Sequence, residues 1–265
     1  MRDKIAVLTA ALFLVVLPLH AGGSKKCSAN LAACPIIGCS KPNSPLSVTN
    51  TTKRTTAVTG TPTKIGFDDL AALQNDIDTK FANGPITVAG ATVTSVRNMN
   101  AAPRKIILSG LKAKSATFSE GNYVELSGFI ASTAKPPHPN DGESVNCGLT
   151  DDASNDFHIN ITPQKSEDET QGVVVEMIPQ NPHRQNNDWS IDKLKKIQAQ
   201  QFPVRIRGRL FFDDEHLPIT DKTSQANPKR FSVWEIHPLA SFEVCTTSCT
   251  ETSGWKALED WTPSN

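Results

Sequence analysis

Between residues 121 and 245, apolar and polar positions largely alternate with a period of two, the pattern of strands that bury one face and solvate the other. Residues 156–161 place Phe157, Ile159 and Ile161 on one face and Asp156, His158 and Asn160 on the other. Residues 204–212 turn Val204, Ile206, Gly208, Leu210 and Phe212 inward and Arg205, Arg207 and Arg209 outward. In residues 233–244, Trp234 and Ile236 point in while Glu235 and His237 point out. Residues 122–130 form a further strand in which Gly128 permits the bend that barrel closure needs, and residues 173–178 form a shorter one stopped by Pro179. Over residues 189–200 the pattern becomes helical: Ser190 caps, and Ile191, Leu194 and Ile197 form a buried stripe beside exposed Lys193, Lys195 and Lys196. The predicted order is three strands, one helix, two strands, with Phe157, Phe212 and Trp234 inside.

Upstream, Leu70, Leu73, Ile77 and Phe81 recur at helical spacing behind Asp68 and Asp69, and Asn83-Gly84-Pro85 ends the helix. Residues 65–120 therefore read as a helix with short strands, near 86–96 and 105–111, packed on the barrel. Residues 22–64 read as a cysteine-containing segment and a Thr/Ser/Pro-rich linker, and residues 41–64 are too poor in bulky apolar side chains to offset their ordering entropy, which predicts a disordered tether. Residues 1–21 read as a signal peptide: Arg2 and Lys4 precede an apolar run to Leu19, and Leu19-His20-Ala21 offers a cleavage site. After its removal no transmembrane segment is expected, and the chain reads as secreted or periplasmic. Residues 121–249 form the barrel domain and residues 250–265 a C-terminal tail.

This order resembles an OB-fold, a five-stranded Greek-key barrel, over residues 121–245. The expected fold class is mainly β with one or two helices: an OB-like barrel preceded by a small α/β segment and the tether. The strings Glu143-Ser144-Val145-Asn146-Cys147, Asp156-Phe157-His158-Ile159, residues 173–180 and Trp234-Glu235-Ile236-His237-Pro238 also resemble a group of uncharacterised exported bacterial proteins, which implies export but no activity.

Six cysteines (Cys27, Cys34, Cys39, Cys147, Cys245 and Cys249) follow the signal, which points to disulfides. Three lie early and three late, so full pairing needs at least one bridge between the clusters; Cys147 is expected to join Cys245 or Cys249. Charge is balanced, with 27 basic and 27 acidic residues, so no global field draws the chain to nucleic acid or an anionic membrane. The 11 Phe, 4 Trp and 1 Tyr give few stacking partners, and a general single-strand binder is disfavoured.

The OB-fold likeness implies the strand order one, two, three, five, four, which makes the strands of His158, Glu176 and His237 neighbours, with Asp156 and Glu235 two positions along. Two imidazoles and a carboxylate are the ligand set of hydrolytic zinc and non-haem iron sites, so His158, Glu176 and His237 are the candidate ligands of one divalent metal ion. The patch is expected on the solvent face, where histidine removal would leave stability unchanged. Arg205, Arg207 and Arg209 form a cationic ladder suited to phosphate or carboxylate. His216, beside Asp213, Asp214 and Glu215, begins the long connection that reaches ligands in OB-folds. Three functions fit: an exported binding module of unknown ligand, a metal-assisted phosphodiester or ester hydrolase, or a structural component of the envelope.

Overall fold

The computed structural model describes residues 25–95, 97, 99–131, 142–220 and 229–263. The expected signal peptide lies outside the described residues. Helix α1 (Pro45–Lys53) comes first, capped by Ser44, whose side chain accepts from the Ser47 amide. It falls in the stretch expected to be disordered. Its sparse apolar side chains do not leave it unordered, because α1 is held by polar contacts: Asn50 Nδ2 donates to the Ile37 carbonyl at 2.8 Å and to Ser144 Oγ at 3.1 Å, and Thr49 Oγ1 donates to Asp214 at 3.3 Å.

Strand β1 (Thr63–Lys64) leads into α2 (Phe67–Phe81), whose Leu70, Leu73 and Ile77 are buried as the periodicity predicts. Asp69 fixes its start, accepting from the Gly66 amide at 2.9 Å and from the Ser115 amide at 2.7 Å. A hairpin of β2 (Ile86–Val88) and β3 (Ala91–Val93), helix α3 (Ala101–Ile107), and a second small pair, β4 (Leu111–Lys112) with β5 (Thr117–Phe118), complete this region.

The barrel is built from β6 (Tyr123–Ile130), β7 (Phe157–Thr162), β8 (Val173–Met177), then, after helices α4 (Pro182–Gln185) and α5 (Ile191–Gln200), β9 (Pro203–Phe212) and β10 (Trp234–Cys245). Pairing runs β6-β7-β8-β10-β9 and closes back to β6, antiparallel except between β8 and β10, giving a closed five-stranded mixed barrel. Phe157, Phe212 and Trp234 lie in its core with Ile159, Val175, Ile206 and Ile236. Helix α5 is not the barrel's only helix, since α4 precedes it; Asn181 caps α4 and Pro182 opens it. Ser190 caps α5 as expected.

Two further expectations change. The C-terminal residues are not a bare tail: β11 (Trp255–Ala257) pairs antiparallel with β10, and Trp261 is buried. Cys147 bonds to Cys34, not to Cys245 or Cys249; the other bridges are Cys27–Cys39 and Cys245–Cys249. The inter-cluster bridge that parity requires is therefore Cys34–Cys147, made because residues 25–54 cross the barrel beside Cys147. Among the described residues no helix is long and apolar enough to cross a membrane.

Candidate functional site

The site forms where three strands meet. In the β7–β8 ladder His158 stands opposite Glu176, and Ile236 of β10 stands opposite Val175 of β8, one residue before Glu176. His237 follows Ile236, at a register shift between β10 and β9 that spans Ile236 to Leu239. Such irregularities re-aim side chains.

His237 is fully buried and ringed by three carboxylates. Its Nδ1 lies 2.8 Å from Glu176 Oε2 and 3.6 Å from Glu235 Oε2, and its Nε2 lies 3.5 Å from Asp156 Oδ2. Each carboxylate has one oxygen held from outside. Asn146 Nδ2 donates to Asp156 Oδ1 at 2.9 Å, His158 Nε2 lies 3.2 Å from Glu176 Oε1, and Arg230 Nη1 pairs with Glu235 Oε1. The inner oxygens, Asp156 Oδ2, Glu176 Oε2 and Glu235 Oε2, and both His237 nitrogens are buried and face one another, with no well-aligned hydrogen bond to any other group. The 2.8 Å separation is short enough for one but not aligned for it. One ligand atom from each of Asp156, Glu176 and His237 lies within 4.8 Å of the others.

A second tier surrounds this centre. His158 Nε2 also lies 3.3 Å from Glu143 Oε1, and these two side chains, about a fifth to a quarter exposed, form the edge open to solvent. Gln180 Nε2 donates to Asn146 Oδ1 at 2.9 Å. On the far side Arg230 Nη1 lies 3.1 Å from Asp213 Oδ2, which His216 Nδ1 approaches at 2.7 Å. Lys53 of α1 is buried nearby, its ammonium 5.7 Å from the centroid of the Phe211 ring.

Burial and close charges perturb the ionisable groups at the centre of this cluster. Burial alone would lower the His237 pKa, but Glu176 above all, with Glu235 and Asp156, pushes it up to about 10. Burial, reinforced by Glu143 and Glu176, raises Asp156 to about 7 against the pull of His237. Burial would raise Glu176, yet His158, His237 and Lys53 hold it well below the usual carboxylate range. For Lys53, burial is outweighed by Glu176, Asp213, Glu215 and Glu143, which hold the ammonium charged.

The five residues Asp156, His158, Glu176, Glu235 and His237 are thus brought together, but not as expected. Asp156, Glu176, Glu235 and His237 are buried, because residues 25–54 and the loop bearing Glu143 and Asn146 lie over the outer barrel face. Asp156, expected only to flank, converges with Glu176 and His237, whereas His158 approaches the outer oxygen of Glu176. His216 joins through Asp213. The arginine ladder stays apart. Arg205 pairs with Glu243 at 2.7 Å, Arg207 pairs with Glu125 at 2.6 Å and Glu243 at 2.8 Å, and Arg209 donates to the Ala57 carbonyl. Glu143, Asn146, Arg230 and Lys53 were not anticipated. The first two lie in a string that carried the family resemblance, a signal that was available; Lys53 and Arg230 come from irregular-looking stretches with none.

Comparison with family models, with curated proteins and with solved structures found no match to this chain.

Proposed function

We propose that this protein is an exported OB-like barrel that binds one divalent metal ion through Asp156, Glu176 and His237. The observation that carries this reading is the arrangement of the carboxylates: each is gripped by its outer oxygen, leaving an inner oxygen that faces His237 alone, at 2.8 to 3.6 Å. Outer-oxygen donors of this kind orient metal ligands in many sites. Two carboxylates and one imidazole suit zinc and neighbouring first-row ions, with bonds of about 2.0–2.2 Å. Ligands on such bonds lie no more than about 4.4 Å apart, so a cluster within 4.8 Å needs only a small inward closure. Glu235 would remain an outer anion, paired to Arg230.

Binding is favoured over hydrolysis because the centre is covered. Asp156 and His237 are 1% and 0% exposed, and a polymeric substrate would reach only the rim at His158 and Glu143. An ion passes where a polymer does not. The three disulfides fit an oxidising compartment, which supports export.

Isothermal titration of the chelator-stripped protein with zinc or manganese at pH 7.5 tests the reading, with elemental analysis of the protein as purified. One ion per chain is expected, lost in both Asp156→Ala and Glu176→Gln while circular dichroism stays native. Failure of both metals to bind the folded wild-type protein, or unchanged binding in both variants, would overturn it.

A further inference from the structure

Two of the three disulfides lie side by side where residues 25–54 cross the barrel. Cys27–Cys39 closes a loop within this arm, and Cys27 is exposed. Cys34–Cys147 ties the arm to the loop carrying Glu143 and Asn146, and it is buried, with Cys34 6% and Cys147 0% exposed. The sulfur atoms of Cys27, Cys39 and Cys147 all lie within 4.8 Å of one another. The exposed bridge therefore lies within 4.8 Å of a sulfur of the buried one.

The surrounding charges favour exchange. Lys25 and Lys26 precede Cys27, and cations lower the pKa of a neighbouring thiol, increasing its thiolate fraction. Arg54 Nη1 lies 3.6 Å from Cys34 Sγ, where a guanidinium stabilises Cys34 as a leaving thiolate. The same nitrogen donates to the Pro35 carbonyl at 2.6 Å, which fixes it in place.

We propose that the two bridges form a thiol–disulfide relay through which a solvent dithiol unfastens the arm. The dithiol reduces Cys27–Cys39, giving up two electrons and two protons and becoming a disulfide itself. One of the two freed cysteines, as thiolate, attacks Cys147 Sγ. A new bond from Cys27 or Cys39 to Cys147 forms, the Cys34–Cys147 bond breaks, and its electron pair leaves on Cys34 beside Arg54. The second step is an isomerisation and needs no further reductant.

Its consequence is mechanical. Cys34 is the covalent link of the centre of the arm to the loop, and that loop supplies Asn146 to Asp156 and Glu143 to His158. After exchange the link moves towards the arm's start or to Cys39, and the segment covering the charged cluster gains freedom. The relay does not depend on metal binding and stands or falls separately.

Limiting dithiothreitol followed by iodoacetamide and peptide mapping of the oxidised full chain tests it. Cys34 should become alkylated together with a new Cys27–Cys147 or Cys39–Cys147 bridge. In a Cys27→Ser/Cys39→Ser double variant Cys34 alkylation should slow at least tenfold, because the reductant must then reach a buried bridge directly. Equal rates in the two proteins, or no rearranged bridge in the wild type, would overturn the relay; the wild-type map decides alone if the double variant does not fold. Arg54→Met should slow Cys34 release while leaving reduction of Cys27–Cys39 unchanged, and an unchanged release rate would overturn the leaving-group role.

Discussion

Replacing Arg230 by methionine separates a structural charge network from a decorative one. Arg230 is 1% exposed and pairs with Glu235 and with Asp213 at 3.1 Å, both of them fully buried. Methionine fills much of the same volume but leaves two buried carboxylates facing each other with no cation between them. Removing one partner of a buried ion pair costs about 3–5 kcal/mol. For a chain of this size each kcal/mol lowers the melting temperature by roughly 2–4 °C, so a fall of roughly 6–20 °C is expected in calorimetry or a circular-dichroism melt at pH 7.5. The loss has a pH signature. Asp213 is held far below the usual carboxylate range: burial opposes this, but His216, Lys53 and Arg230 prevail. A carboxyl depressed in the folded state stabilises the protein above its unfolded pKa, about 3.9, and that stability is lost as pH falls through the folded value. Glu235 is raised by burial and by Glu176 and Asp213, with Arg230 restraining the rise, so losing Arg230 adds to its cost at neutral pH. Both effects make the deficit of Arg230→Met greatest near neutral pH and smaller below about pH 4. A second change, Glu235→Gln, should recover part of the loss, since it removes one of the stranded charges. A melting temperature within 2 °C of wild type, a deficit that grows in acid, or no recovery in the double variant would refute the reasoning.

Three further outcomes follow from the same geometry. His158→Ala should weaken zinc binding by about 10–100-fold without abolishing it, because His158 orients Glu176 rather than joining the ligands; titration calorimetry reads this, and complete loss would make it a ligand. His216, raised above its ordinary value chiefly by Asp213, should show an NMR titration midpoint above 6.5 that falls back in Asp213→Asn; its contribution to stability is present below pH 6.5 and fades as pH rises through the folded midpoint. Gly38→Ala should lower the melting temperature and hasten proteolytic cutting of residues 25–54, since Gly38 has φ +57° and an added Cβ would meet the Ser144 carbonyl oxygen at 2.0 Å. Unchanged melting and cutting would mean that the arm is not pressed against the loop.

The barrel was legible in the chain because its information is local and periodic. Alternation placed Phe157, Phe212 and Trp234 inside, Ser190 capped its helix, and the spacing of Leu70, Leu73 and Ile77 marked the face of α2. The cluster was legible in part for the same reason: alternation put Asp156, His158, Glu176, Glu235 and His237 on outward positions, and the strand order of the resembled fold made their strands neighbours. What alternation cannot say is what lies over an outward face. A polar residue pointing off a barrel meets water or another part of the chain, and here the covering segment is rich in serine and threonine and looked unable to order. It orders through hydrogen bonds and through Cys34–Cys147, contacts between residues up to 165 positions apart that leave no periodic trace. The burial of His237, the converging inner oxygens, the placing of Lys53 and Arg230 and the choice among cysteine pairings were decided by that long-range folding, because each depends on which side chains meet in space and not on their order along the chain.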